Sequence, residues 1–550
     1  MQVIAIVVSL AITVVAVALF VRAIRQILAV VRTGQPTLGR TDHKAARWAT
    51  MLRETLGHTR MLQWSLIGTM HWFVFVGFGF LFLTLVTAFG QLFDATFALP
   101  LIGRWVVFEW ITEAIAWLML VSIIGLITVR LTNLRRATVP RRSRFFGSTM
   151  WQGYFVEAVI LGVGLCILVL RGAEYALQAG ASKADFPLTF FIGQGLDGLS
   201  GAALERLVYF VAMVKIVISF TWMIVISLNA TMGVAWHRFT VWPNIWFKRK
   251  AGGGPSLGAL QPMAAGGVPI DFENIDELDE DTVFGIGKVE DFSWKGMLDF
   301  ASCTECGRCQ SQCPAWNTEK PLSPKLLITN LRDHAFAKTP YLGASEQDRE
   351  HLSEQVRAEA GRELVGATEG DPSLPSGGAV IDPDVLWSCT SCGACVQQCP
   401  VDIEHVDHIM DMRRYQVLVE SSFPAELNSL FRGLESRGNP WNMSPNARMD
   451  WARGLPFEVK QVGVDIESLD EVDWLFWVGC AGAYEDRAKK TTRAVAELFH
   501  LAEVDFAVLG NGETCTGDSA RRAGNEFVYQ GLAHQNIETF KEMKVKKVVS

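Results

Sequence analysis

Unbroken apolar runs dominate the first 230 residues, and shorter, amphipathic periods take over beyond residue 290. Five runs reach the roughly 20 residues that a helix needs to cross hydrocarbon: 3–24, 64–89, 106–129, 151–170 and 207–229. No positive charge precedes the first run and no small-residue cleavage site closes it, so it reads as a span, not a secretory signal. Far downstream, "DWLFWVGC" (473–480) and "FAVLG" (506–510) read as buried strands separated by a helix over roughly 485–500, and another strand opens at "VKKVVS". This alternation predicts a parallel α/β layer. Cys480 and Cys515 then stand at strand ends along one edge of the sheet, where such folds build sites. The charged stretch 345–365 reads as helical. "AGGGPSLGALQPMAAGGVP" (251–269) is too rich in Gly and Pro for a regular element and reads as a tether.

The pattern predicts a multi-domain chain. Residues 1–250 form an all-α five-helix transmembrane bundle, 251–290 a linker with an acidic stretch, and 291–425 a helical domain. Residues 426–472 connect to the first part of an α/β domain at 473–550. That domain stops inside a predicted strand, as a C-terminal truncation would leave it.

Charge sharpens the division. Residues 1–250 hold 23 Lys and Arg against 10 Asp and Glu, and residues 251–550 hold 27 against 47. An acidic second part disfavours nucleic acid and suits a protein partner with a basic docking patch. Arg25, Arg32, Arg40, Lys44, Arg47, Arg53 and Arg60 lie between the first two runs. Arg130, Arg135, Arg136, Arg141, Arg142 and Arg144 lie between the third and fourth, and Lys248, Arg249 and Lys250 follow the fifth. The positive-inside rule then places the N-terminus outside an inner (plasma) membrane and everything after residue 240 in the cytoplasm.

Eight of the eleven cysteines fall in two C-x2-C-x2-C-x3-C-P runs, "CTECGRCQSQCP" from Cys303 and "CTSCGACVQQCP" from Cys389. In such a run three thiolates hold one cubane and the fourth reaches the other cluster. The expected sets are Cys303, Cys306, Cys309 and Cys399 on one [4Fe–4S], and Cys389, Cys392, Cys395 and Cys313 on the second. Gly307 and Gly393 let the backbone turn beside the iron. A reducing cytoplasm argues against disulfides, and structural zinc has no use for the third Cys or the trailing Pro. His405 and His408, in "VDIEHVDHIM", read as helix-surface residues, and Cys166 as a buried residue of the fourth span.

The doubled runs, the "VGC" strand end and "ETCTGDSARRAGNE" together resemble the cysteine-rich, heterodisulfide-reductase-type iron–sulfur oxidoreductases, and the insert between the two runs is similar to their helical ferredoxin module. In that family the cysteine-rich domain holds a further iron–sulfur centre, which implies a role for Cys480 and Cys515. This chain departs from the fullest pattern, because Thr516 stands where many members carry a second adjacent Cys. The first 250 residues are similar to the haem-b γ subunit of respiratory nitrate reductase. The whole layout resembles membrane-fused members, from actinobacteria, that oxidise electron-transfer flavoprotein and reduce menaquinone.

A bis-His haem takes one imidazole from each of two facing helices. The resemblance implies His71 with His237. Depth along the helices, at about 1.5 Å per residue, puts His237 and His58 at one level, so His58 with His237 stays open. Lys215, Glu109, Glu113 and Glu157 are ionisable residues within apolar runs, and such residues are commonly functional; here they are candidates for quinone binding or proton relay. The resemblance implies electrons passing from a reduced flavoprotein through iron–sulfur clusters and haem b to menaquinone. Two alternatives are a dithiol, heterodisulfide or 2-hydroxy acid as donor, and a non-catalytic electron-relay or anchor subunit. No glycine fingerprint for a flavin or nicotinamide is present, so a flavin belongs to the partner.

Overall fold

The computed structural model describes residues 1–136, 140–178, 180–254, 256–280, 282–368 and 378–550. They form two compact units, one of residues 1–259 with 292–405 and one of residues 260–291 with 406–550.

The first unit opens with α1 (Gln2–Thr33) and a short amphipathic α2 (Lys44–Thr55). The second apolar run is broken into α3 (Ser65–Phe80) and α4 (Phe82–Gln91), against the single helix expected. The break is a tightened turn in which the Thr84 N–H donates to the Leu81 carbonyl. Lys215 Nζ takes the Thr84 carbonyl and hydroxyl at 2.8 and 2.7 Å. Then come α5 (Val106–Arg136), α6 (Met150–Leu177), the short α7 (Phe190–Gln194), α8 (Gly201–Leu228) and α9 (Gly233–Trp246). Among the described residues five helical stretches are long and apolar enough to cross a membrane, α3 and α4 counting together.

Helix α1 packs on α8 through a stripe of Ala5, Ser9, Ala16 and Ala23, all buried, while Val3, Ile4, Val7 and Val14 point outward. Small residues let two backbones approach closely where no water drives association. Helix α9 is separate from α8, pinned back on it by a bond from Trp236 Nε1 to the Ile226 carbonyl at 3.0 Å. His237 therefore sits on its own helix beyond the fifth span.

The same unit continues into the two cysteine runs. Helices at Trp294–Ser302 and Pro324–Leu342 are capped by Ser293 and Ser323. The charged stretch after them is two short helices, Glu346–Arg349 and Glu354–Ala360, because Ser345 and Ser353 each cap a new start. Several bonds fasten this part to the helices before it. Gln35 N donates to the Phe292 carbonyl, Trp294 N to the Gln35 carbonyl, and Asn244 Nδ2 to the Val401 carbonyl. Arg40 pairs with Glu404 at 2.7 Å, both buried.

The second unit centres on a four-stranded, fully parallel sheet. Its strands are Lys460–Gln461, Trp474–Phe476, Phe506–Val508 and Val548–Val549, ordered first, third, second, fourth. Helices Asp486–Leu501 and Glu526–Glu542 complete the expected α/β alternation. Residues 426–472, read as a connector, supply helix Glu426–Arg437, a 3-10 turn over Pro445–Ala452 and the first strand. His405 and His408 are buried, contrary to the helix-surface reading. His405 is turned inward by a bond to the Ile403 carbonyl at 3.0 Å.

Candidate redox centres

The two cysteine runs adopt the same backbone, position by position. Glu305 and Ser391 have φ of 55° and 50°, and Gly307 and Gly393 have 71° and 74°. Cys313 and Cys399 close each run at −72°, 122° and −69°, 119°. The turns aim successive thiols inward and start a five-residue helix after each glycine, Arg308–Gln312 and Ala394–Gln398. Cys309 interacts electrostatically with Cys306, Cys303, Cys399 and, least, Cys395, and Cys395 with Cys389, Cys313 and Cys392. The last cysteine of each run thus lies among the other run's thiols, as a crossed arrangement would require. Among the described residues no three metal-ligating side chains converge on a single-ion position. The four thiols of each set suit the corners of a cubane.

The first cradle is also ringed by cations. Lys325 and Arg308 are each 1% exposed. Lys325 bonds only the Arg144 and Phe146 carbonyls and the Ser148 hydroxyl. Arg308 bonds the Arg60 and Met61 carbonyls, and Arg144 lies over Trp64 and Phe145. None of the three has an ion-pair partner among the described residues. Buried cations without counter-charge are costly, and a cluster bearing four thiolates supplies that charge. Burial pushes the Cys303 thiol up to about 12 and Cys309 well above its ordinary value, so the thiolates too call for iron.

A cleft of about 270 Å3 is lined by His58, His71, His237, Arg130, Arg144, Glu157, Cys306 and Pro400. The rings of His71 and His237 stand 6.2 Å apart at 45°. Two imidazoles on one metal, at about 2 Å per metal–nitrogen bond, have ring centres roughly 6 Å apart. Hydrogen bonds also set the tautomers. His58 Nδ1 lies 2.5 Å from the Thr55 carbonyl and must carry a proton, which leaves its Nε2 as an acceptor 3.0 Å from His71 Nδ1. His71 then donates from Nδ1 and keeps a lone pair on Nε2. His237 Nδ1 lies 3.2 Å from the Gly233 carbonyl, freeing its Nε2 likewise. Burial, with Arg238 beside it, drops His237 to about 4, so it stays neutral, the form that ligates metal. His58 bonds His71, and the two rings that face each other at a separation a shared metal would suit are those of His71 and His237.

Glu157 lines this cleft, bonded to Arg130 at 2.7 Å through Oε1, with Oε2 unpartnered. Lys215 and Glu109 lie elsewhere, lining a second cavity of about 310 Å3 with Arg171 and Glu174. Glu113 adjoins that group, accepting from Arg171, Thr189 and the Leu188 N–H. The structure does not bring these three residues to the histidines.

In the second unit Cys480 and Cys515 meet beyond the carboxyl ends of adjacent strands. Cys480 donates to Cys515, which pulls Cys515 down to about 7 and drives Cys480 up. Arg448 Nη2 is 3.0 Å from Cys480 Sγ, and its Nη1 is 3.0 Å from Glu513. Glu513 in turn accepts from the N–H groups of Val478 and Gly479. Sequence reasoning found the cysteines and missed Arg448 and Glu513. The one signal for the latter is its place two residues before Cys515.

A family profile described as a 4Fe-4S dicluster domain matches residues 302–403, and one described as a cysteine-rich domain matches residues 474–550. The chain is 30% identical over 93% of its length to the EtfAB:quinone oxidoreductase of Syntrophomonas wolfei, of which it covers 68%. It is 35% identical over 50% of its length to a probable membrane-anchored ferredoxin of Chromohalobacter salexigens, covering 38% of that protein. It is 26% identical over 46% of its length to one subunit of the dihydromethanophenazine:CoB–CoM heterodisulfide reductase of Methanosarcina mazei, covering 55% of that subunit. No solved structure matches it. The doubled cradles, the cysteine-rich unit and the membrane helices thus occur together in a known lineage, and the chain belongs to the family of the EtfAB:quinone oxidoreductase, as a membrane-anchored iron–sulfur oxidoreductase.

Proposed function

We propose that this chain conducts electrons from a reduced flavoprotein of the electron-transfer-flavoprotein class, linked to fatty-acid β-oxidation, to menaquinone in the bilayer. The observation that carries the reading is the cleft whose walls hold both the facing pair His71 and His237 and the cradle cysteine Cys306. In this reading Cys480 and Cys515 serve the entry centre in the cytoplasm. Cys303, Cys306, Cys309 and Cys399 hold one [4Fe–4S], Cys389, Cys392, Cys395 and Cys313 the other, and His71 and His237 hold haem b. These groups, when bound, supply one-electron carriers. Two such transfers and two protons convert a quinone to its quinol, and Glu157, which lines the cleft, would deliver a proton there. The S. wolfei relative's name supports both the donor and the acceptor class.

Charge supports a protein donor. Asp276, Glu277, Asp279 and Glu280 are exposed, while Asp281, read with them in the sequence, lies outside the described residues. The hydrogen-bonded Cys480 and Cys515 favour a second reading with a small dithiol as donor. The test is to mix purified protein in lipid with reduced electron-transfer flavoprotein and follow b-type haem absorbance. Reduction is expected, with an association rate that falls as ionic strength shrinks the Debye length from ~10 Å at 0.1 M to ~3 Å at 1 M. Reduction by a small dithiol and not by the flavoprotein at any salt concentration selects the second reading.

A further inference from the structure

The two cradles share a backbone but differ in surroundings. Arg144 and Arg308 act on Cys306, Arg308 also on Cys399, and Lys325 on Cys309, Cys303 and Cys306. All of these thiols belong to the cradle that borders the histidine cleft. Arg332 acts on Cys303 as well, but it is already paired with Glu305 at 2.9 Å and Asp333 at 2.8 Å. At the second cradle Cys392 is exposed and Cys389 partly so, and charges near such a surface are screened by water and salt.

We infer that Lys325, Arg308 and Arg144 set the direction of electron flow, by making the group held by Cys303, Cys306, Cys309 and Cys399 easier to reduce than the one held by Cys389, Cys392, Cys395 and Cys313. The inference rests on the proposal that both cradles hold a cubane. Adding one electron adds one negative charge to a group that already carries four thiolates. A nearby cation in a low-dielectric interior favours that form far more than the same cation does in water, and net charge is among the factors that set a cluster's potential. One electron shared between the cradles, oxidising the second as it reduces the first, therefore rests beside the cleft. Lys325 and Arg308 have a second consequence: each is held by backbone carbonyls, so neither can swing away to a carboxylate when the redox state changes.

The test is an EPR-monitored redox titration of the full chain in lipid. Cys306→Ser and Cys392→Ser identify which signal belongs to which cradle. The first cradle's signal is expected to appear at the higher potential. Lys325→Met is expected to lower that midpoint by about tenfold in the reduction equilibrium, 59 mV for a one-electron couple, and to leave the second cradle's midpoint where it was. Lys325→Arg, which keeps the charge, restores it. Should Lys325→Met fail to assemble, Arg144→Gln removes a cation held only against aromatic rings and is expected to shift the same midpoint in the same direction. The inference is overturned if the first cradle titrates at or below the second, or if a charge-removing variant moves both midpoints equally or neither. A chain that binds no iron refutes the cubane proposal itself and is distinguishable by iron content before any titration.

Discussion

The cysteine cradles and the histidine cleft lie in the same compact unit and meet the burial of a metal-binding group in opposite ways. A thiol must lose a proton to ligate, and burial opposes that, as the upward shifts at Cys303 and Cys309 record. Neutral imidazole already is the ligating form, and burial favours it, as the fall at His237 to about 4 records. The cradles therefore depend on iron to hold their shape, together with the cations that crowd the first of them. The cleft holds its own geometry through Thr55, His58 and Gly233.

Removing a ligand on each side sharpens that contrast. Cys309→Ser is expected to have the largest effect. It should halve an iron content of about eight per chain from the two cubanes, and lower thermal stability by leaving buried cations unpaired. Iron analysis and a melting curve measure both. A variant that keeps all its iron and its melting temperature breaks the comparison.

The two matched glycines come next. Each has a left-handed φ, so an added Cβ carries roughly 1–2 kcal/mol of strain. At Gly393 nothing lies within 4 Å of that Cβ, whereas at Gly307 it would collide with the Arg144 carbonyl oxygen. Gly393→Ala should retain its iron with a modest loss of stability, and Gly307→Ala should lose iron from the first cradle. Similar iron content in the two variants would argue that the cleft side of the cradle is looser than its contacts imply.

Within the cleft, His71→Ala and His237→Ala should each abolish a b-type reduced-minus-oxidised spectrum. His58→Ala should keep it with an altered potential, because in the proposed arrangement His58 touches the ligand and not the metal. Loss in His58→Ala with survival in His71→Ala would reverse their roles. The smallest effect is expected for Glu157→Gln: an unchanged spectrum, with quinone reduction slowed by one or two orders of magnitude, the scale of a lost proton donor. A stopped-flow measurement of haem reoxidation by quinone checks it.

The cradles were legible because their chemistry is encoded in spacing. Four cysteines over eleven residues fix three ligands by local turns alone, and duplication supplies the fourth. The five spans were legible for a similar reason, since length and hydropathy are local. The cleft was only half legible. His58, His71 and His237 stand out as histidines, but which of them acts through another depends on a 3.0 Å contact between the loop after α2 and helix α3 that no spacing encodes. Arg448 reaches Cys480 from 32 residues before it, and Glu513, 33 residues after it, holds that arginine and the Gly479 N–H; the sequence shows only an ordinary arginine and an ordinary glutamate. Lys325 looks like a helix-surface lysine one residue after the proline that begins its helix, and only packing reveals that three oxygens enclose it. Lys215 and Glu109 show the opposite failure. Their chemistry was visible, but the sequence could not say which cavity they would face.

One contact bears on how the chain is made. Gln35, two residues beyond the first helix, exchanges backbone bonds with Phe292 and Trp294. At about 5–20 residues per second, a ribosome reaches those partners some 10–50 s after Gln35 has emerged. The first span precedes Gln35 and the other four are synthesised in that interval, so all five are made before the first cradle cysteine exists. Iron must then be delivered to a chain already tethered at the membrane. The surface waiting for it, which carries Gln35, Arg60 and Asn244, is the template on which the cradles close.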